Sequence, residues 1–404
     1  MSEAIEWGQG ETLFIAVQTA ARLLEASGVE EARSNAELLL LHVLQLDRSA
    51  LLFAWHDPFP QDKRAEWAEL LQRKAAGEPI QYMIGSQWFF GREFHVSPSV
   101  LIPRPETELL VEAVLAAADE LWPQAGAGVG SGAVASGTGA SVGSGAVAGD
   151  AGASVGSGEK ADGIRAGSNN RERANEAAGA DVPDGASVED KAAGEATVSH
   201  GAEASEVGGA GVDAASEDKP AHALSVPMIA DIGTGSGAIA VTLAAERHGW
   251  QVCASDLSED ALEVARGNAA RHGAGRIAFL QGDLLAPLLG EPAQRLEHAG
   301  VPVDVLVSNP PYIPAADMEG LQREVRDFEP HLALVGGTDG LDPYRSMLQT
   351  LARLEERPRI VAFELGIHQP RVVADMMKQL GCWDDIRIIT DYGGIERHII
   401  AVRR

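Results

Sequence analysis

The sequence predicts an α/β fold, a doubly wound sheet with right-handed crossovers, preceded by a small helical bundle. Three observations predict it. From Val226 onward, short apolar and β-branched runs alternate with helical stretches, the pattern of successive βα units. Three of those runs carry an acid at or near the C-terminal end, Asp231, Asp256 and Asp283, where open α/β sheets bind their ligands. The first run enters a glycine-rich turn, Gly233-Thr234-Gly235-Ser236-Gly237, just ahead of a helix. Glycines there permit a tight turn and close approach of a ligand to the backbone.

The elements follow in order. Residues 11 to about 76 are helical by pattern, with Leu13, Ala16, Val17 and Ala20 on one face. Leu38-Leu39-Leu40-Leu41 and then Trp67, Leu70 and Leu71 continue the apolar pattern, and Ser34 or Asn35 is expected to cap the second helix. Phe89 to Val96 reads as a hairpin, and Glu106 to Trp122 as a helix with Leu109, Leu110, Ala113 and Val114 on one face. Strands are expected near 228–232, 251–256, 276–281, 303–308, 359–365 and 385–390, with a last one at 398–402.

The domain reading is a helical bundle at 1–84, a hairpin linker at 85–104, and a sheet domain built from 105–122 and 224–404. Between its two parts, 123–223 is mostly Gly, Ala, Ser, Asp and Glu without aromatics, and Val-Gly-Ser-Gly recurs at Val129, Val142 and Val155. Such a segment buries too little apolar area to offset the entropy of ordering, so a disordered insertion is expected.

Composition narrows the function classes. The formal net charge of -27 disfavours nonspecific binding to a phosphate backbone. Two cysteines, Cys253 and Cys382, cannot make a disulfide framework. There is no N-terminal signal pattern and no apolar run long enough to span a membrane, so a soluble cytoplasmic protein with no membrane partner is expected. His248, His272 and His331 are scattered without metal-ligand spacing, and no metal is assigned.

The sharpest signal is Ser308-Asn309-Pro310-Pro311-Tyr312, at the end of the apolar run Val303 to Val307. Two prolines fix φ and remove N–H donors. The stiff loop can therefore hold the Asn309 amide and bare carbonyls, such as that of Pro310, to accept both N–H bonds of a planar –NH2 group. Tyr312 offers a flat wall beside it. A carboxylate at Asp256 can bind both hydroxyls of a ribose, and the Asp283 loop can reach an adenine amino group with Leu284 on the ring face. Asp231, just before the glycine loop, suits a cationic ligand end such as the amino group of S-adenosylmethionine better than a pyrophosphate. Gly233, Gly235 and Ala238 also satisfy the loose dinucleotide fingerprint. Glu364, ending the run Ile360 to Phe363, reads equally well as a site residue or a solvated acid.

The glycine turn resembles the first motif of class I methyltransferases. Combined with the Asn309 loop, it resembles amino-methyltransferases acting on planar nitrogens. Leu101-Ile102-Pro103-Arg104-Pro105-Glu106-Thr107-Glu108 closely resembles the HemK/PrmC family, as do Gly77 to Tyr82 and Asp391-Tyr392-Gly393-Gly394 with Glu396-Arg397. The resemblance implies a class I S-adenosylmethionine-dependent methyltransferase, with a Rossmann-like seven-stranded sheet whose last strand is antiparallel. It implies S-adenosyl-L-methionine as cofactor, held by Asp231, Gly233 to Gly237, Asp256, Asp283, Leu284 and Asn309. It further implies class 1 peptide chain release factors as protein substrate, docked by the helical bundle and methylated at the Gly-Gly-Gln glutamine. Asn309, Pro310, Pro311 and Tyr312 would hold that glutamine, with Asn309, Pro310 and Tyr312 catalytic. A monomer that binds no nucleic acid directly is expected. Four alternatives stay open, the first a noncatalytic cofactor-binding or translation-associated scaffold, against which the intact acids and the Asn309 loop argue. An adenine N6-methyltransferase sits poorly with the acidic charge. A glutamine methyltransferase of a ribosomal protein usually lacks the Arg104 to Glu108 form. A nicotinamide-dependent oxidoreductase leaves the Asn309 loop unexplained.

Overall fold

A strand buried on both faces must be apolar along its whole length. Met228-Ile229-Ala230-Asp231-Ile232 and Val305 to Ser308 meet that demand, since every residue in both is buried. In a computed structural model, which describes residues 11–123, 226–289, 303–354 and 356–404, these two strands form the centre of the sheet. Apart from Pro123, the stretch 123–223 expected to be a disordered insertion lies outside the described residues.

The chain begins with helices α1 (Leu13–Ala26), α2 (Ala32–Leu44), α3 (Arg48–Ala54), α4 (Arg64–Ala75) and α5 (Ile80–Ile84). They share a core of Leu13, Val17, Leu24, Leu39, Leu40, Trp67 and Leu71. Strands β1 (Ser86–Phe89) and β2 (Arg92–His95) then pair antiparallel across the Phe90-Gly91 turn. Helix α6 (Glu106–Leu121) closes this first part. The sheet domain resumes with β3 (Met228–Ile232), α7 (Ala238–Glu246), β4 (Gln251–Asp256), α8 (Glu259–Arg271), β5 (Ala278–Gln281), the short α9 (Ala286–Leu289) and β6 (Val305–Ser308). It ends with α10 (Arg323–Phe328), α11 (Asp342–Ala352), β7 (Ile360–Glu364), α12 (Gln369–Leu380), β8 (Asp385–Thr390) and β9 (Glu396–Val402).

The seven-stranded order is β5-β4-β3-β6-β7-β9-β8. The first five strands are parallel, and β9 runs antiparallel between β7 and β8. Alternate residues of one strand serve opposite layers. Ile229, Val305, Val307, Ile360 and Ala362 face α6, α7 and α8. Met228, Ala230, Leu306, Val361 and Phe363 face Tyr344, Met347 and Leu351 of α11 and Val373 and Met377 of α12. The strand order reverses between β3 and β6, which pair from Ile229↔Val305 to Ile232↔Ser308. This is the switch point at which a doubly wound sheet opens its ligand crevice.

Three expectations need correction. α2 begins at Ala32 after Glu31, which is left-handed at φ 50, so neither Ser34 nor Asn35 caps it. Asn35 lies inside the helix and its Nδ2 donates back to the carbonyls of Glu30 and Glu31. The buried face of α6 is turned from the expected one: Thr107, Leu110, Val111, Val114, Leu115 and Ala118 are buried, while Leu109 and Ala113 are only half-buried. β5 starts at Ala278 rather than at 276, because the Ile277 N–H donates to Ala274 in a turn.

Candidate active site

The loops leaving β3, β4, β5 and β6 line one cavity of about 410 Å³ at the switch point. Gly233, Thr234, Gly235 and Ser236 form its floor, Asp256, Asp283 and Leu284 one side, and Asn309 and Pro311 the other. Four expected site residues are not among those lining this cavity. Pro310 is buried, Tyr312 is half-buried against the core around α11, and Gly237 caps α7, where an added Cβ would lie 3.1 Å from the Ala265 Cβ of α8. The fourth is Asp231.

Asp231 is fully buried beneath the glycine loop and does not line the cavity. Its Oδ2 accepts from Thr234 Oγ1 at 2.6 Å and from the Ala240 N–H at 3.1 Å, while Oδ1 is buried without a hydrogen-bond partner. The carboxylate thus pins the loop to the first turn of α7. Burial pushes its pKa up to about 7, against the lowering effect of those two bonds. A carboxyl group with a raised folded pKa stabilises the fold fully below its unfolded value and loses that contribution as pH rises through the folded value. For Asp231 the window runs from the ordinary 3.8 to about 7, with a ceiling of about 4 kcal/mol. In the ligand-free protein, the melting temperature of Asp231→Asn relative to wild type should therefore climb between pH 4 and 7 and level off above. A difference that stays flat across this window would contradict the buried-acid assignment.

Asp256 reaches the cavity with both oxygens engaged by the chain. Oδ2 accepts from the Gly235 N–H at 2.8 Å and Oδ1 from the Ser258 N–H at 2.9 Å. Each carboxylate oxygen has a second lone pair, so the group can fix the loop and still accept from a ligand's hydroxyls. Burial raises its pKa, opposed by the bonds from Ser258 and Gly235. A Cβ added at Gly233 or Gly235 would meet nothing within 4 Å, so bare backbone faces open space there. A floor of bare backbone, an acid at hydroxyl-binding distance from it, and a wall of Leu284, Leu257 and Ile239 fit a nucleoside with a small polar tail.

Asn309 is set by its neighbours. Ser308 Oγ donates to the Ile232 carbonyl at 2.7 Å, tying the ends of β6 and β3 together. Asn309 Nδ2 lies 3.3 Å from Thr107 Oγ1 at the start of α6, and Thr107 donates to Glu364 Oε2 at 2.6 Å. Glu364, left open by the sequence, is therefore neither solvated nor in the cavity wall; it is 3 % exposed and stands behind Asn309. Burial, and then the Glu364 charge, push the Tyr312 hydroxyl up to about 12, so it stays protonated.

Sequence reasoning missed the supports of this loop. Gly336 and Gly340 approach the backbone of Pro311 and Tyr312 so closely that a Cβ would lie 2.5 Å from the Pro311 oxygen or 2.1 Å from the Tyr312 oxygen. Gln369 Nε2 donates to the Tyr312 carbonyl at 2.9 Å. The visible signal was Gly336-Gly337-Thr338-Asp339-Gly340, a glycine cluster ahead of a helix. Arg104 both lines the cavity and pairs with the buried Glu329 at 2.5 Å. The hairpin is tied in by Asn268, whose side chain bonds His95 on both backbone groups and the Ser236 carbonyl of the glycine loop. Among the described residues, no helix is long and apolar enough to cross a membrane, and no group of three His, Cys, Asp or Glu side chains is placed to hold a metal.

Two segments of the chain match known protein domains. Residues 16–85 match the PrmC N-terminal domain and residues 229–327 a methyltransferase domain. The release factor glutamine methyltransferase of Bacillus cereus is 30% identical over 389 residues, spanning 96% of this chain and 98% of that protein. That of Moorella thermoacetica is 32% identical over 394 residues, spanning 97% and 99%. The solved N-terminal domain of human METTL16 in complex with SAH aligns at 15% identity and a TM-score of 0.32, covering 44% of this chain and 62% of that one, too slight a likeness to argue from. With relatives aligned from end to end at 30% identity or more, the chain belongs to the release factor glutamine methyltransferase family, and it is a methyltransferase whose methyl donor is S-adenosyl-L-methionine.

Proposed function

We propose that this protein methylates the side-chain amide nitrogen of a glutamine in a class 1 peptide chain release factor, the glutamine of its Gly-Gly-Gln motif. The observation that carries the reading is that Asn309 lines the same cavity as the glycine loop and Asp256. An acceptor for a planar amide thus stands beside the place built for the methyl donor. The relatives' names supply the protein that bears the amide.

The donor would rest on Gly233 to Ser236, with Asp256 on its ribose and Asp283 and Leu284 around its adenine. Asp231 holds the loop in shape from below. When bound, S-adenosylmethionine would supply an electrophilic methyl group to the nitrogen and depart as S-adenosylhomocysteine, the displaced amide proton passing to solvent. An amide nitrogen is a poor nucleophile, because its lone pair is delocalised into the carbonyl. The chain's work is therefore alignment and exclusion of water. The substrate amide donates its two N–H bonds to Asn309 Oδ1 and the Pro310 carbonyl. Both acceptors strengthen as positive charge grows on nitrogen. Tyr312 fixes the amide plane. The bundle at 1–84 docks the rest of the substrate, and the enzyme works as a cytoplasmic monomer.

The test is transfer of a labelled methyl group from S-adenosylmethionine to a release factor and to its variant with the Gly-Gly-Gln glutamine changed to alanine. Label on the native factor alone is expected. Label on both, or on neither while adenine in a nucleic-acid control becomes methylated, would overturn the reading.

A further inference from the structure

We infer that Thr107 is a positioning residue that decides which end of the Asn309 side chain faces the amide to be methylated. The inference rests on the proposed role of Asn309 as acceptor.

An asparagine amide is nearly symmetric in shape but not in chemistry: one end only accepts hydrogen bonds and the other only donates. For Asn309 to accept from a substrate N–H, its oxygen must face the cavity. A specific hydrogen bond must enforce that orientation. Thr107 supplies it, through the direction of its own hydrogen bond. A hydroxyl has one hydrogen to give. Thr107 Oγ1 lies 2.6 Å from Glu364 Oε2, in a contact where both groups are buried. Thr107 is the donor in that contact, so its one hydrogen is committed to Glu364. What Oγ1 has left are lone pairs. They match the Asn309 Nδ2, found at 3.3 Å, and repel its Oδ1. The amide NH2 is held on Thr107, and the carbonyl is left for the substrate.

The anchor is itself fixed. Glu364 ends β7, and its backbone oxygen accepts from the buried Tyr344 hydroxyl at 2.6 Å. Thr107 sits in the first turn of α6, where its N–H donates to the Arg104 carbonyl at 3.1 Å. Three elements far apart in sequence thus transmit one polarity, from carboxylate to hydroxyl to amide.

The test compares Thr107→Val, which keeps the shape and removes the hydroxyl, with Thr107→Ser, which keeps the hydroxyl. Each is made alone, and Thr107→Val is also combined with Asn309→Ala. Thr107→Val is expected to lower kcat about tenfold, the weight of one hydrogen bond. KM for the release factor and affinity for S-adenosylhomocysteine should stay near wild type, while the melting temperature falls because the buried Glu364 loses a donor. Thr107→Ser should recover most of the lost turnover. In the Asn309→Ala background, Thr107→Val should cost nothing further, since no amide remains to orient. If the valine variant does not fold, Thr107→Ala replaces it. Unchanged kcat in the valine variant, a serine variant as poor as the valine one, or additive losses would each overturn the positioning role while leaving Asn309 as acceptor intact. Full turnover in Asn309→Ala alone would overturn both.

Discussion

Asn309→Ala is expected to lower kcat by about a hundred- to a thousandfold, the range seen when one preorganised polar partner of a developing charge is removed. Affinity for S-adenosylhomocysteine should change far less. The cofactor side of the cavity is built mainly from Gly233 to Ser236, Asp256, Asp283 and Leu284, on other loops. KM for the release factor should also move little, because the proposed docking surface lies in the bundle. A fall in kcat and kcat/KM together, with ground-state binding preserved, marks an interaction made in the transition state. If turnover held while cofactor affinity collapsed, Asn309 would be a nucleoside contact and not the amide acceptor. Measuring both constants alongside calorimetric titration with S-adenosylhomocysteine separates these outcomes.

Gly340→Ala is expected to be the most damaging single-methyl change near the site. The residue has φ +75, and an added Cβ would lie 2.1 Å from the Tyr312 oxygen and 2.5 Å from Gln369 Nε2. The left-handed backbone alone costs about 1–2 kcal/mol for an alanine. The clash cannot be relieved by a rotamer change, because its nearest partner is backbone. Relief requires moving the Tyr312 carbonyl off Gln369, and Asn309 lies only three residues upstream on the same loop. We expect a loss of about 3 kcal/mol or more, in the range of severe backbone and packing substitutions, with kcat falling in whatever fraction remains folded. Gly381→Ala is the internal control. Gly381 has φ +63, but a Cβ there meets nothing within 4 Å, so only the conformational part of the penalty should appear. Denaturant melts of both variants check the difference. Equal losses would mean that the close approach at Tyr312 is not a constraint.

Much of the fold was legible because local pattern and burial agree. Residues 228–232 and 251–256 were read as strands and are strands with those ends. Inner strands of a parallel sheet must be apolar throughout, and turn residues bound them sharply. The loop order was legible for the same reason, since the glycine turn and the Asn309 loop leave adjacent strands at the switch point. What could not be read depends on contacts between distant residues. Thr107 and Asn309 are 202 residues apart in sequence. Glu364 looked like a strand-end acid until Thr107 and Tyr344 closed over it. Asp231 was read from its position beside the glycine loop as a direct ligand contact. Its carboxylate is drawn under the loop instead, because Thr234 and Ala240 offer it donors there. The cap of α2 was misread because Asn35 serves carbonyls behind it, a choice that composition does not reveal.

The most direct measurement is a crystal structure of this protein with S-adenosylhomocysteine and a release factor, read at a single distance. The glutamine amide nitrogen is expected about 3 Å from Asn309 Oδ1, hydrogen-bonded to it, with the nucleoside ribose on Asp256 in the same cavity. A glutamine amide bound to any other wall, with Asn309 turned to the nucleoside or to no ligand, would contradict it.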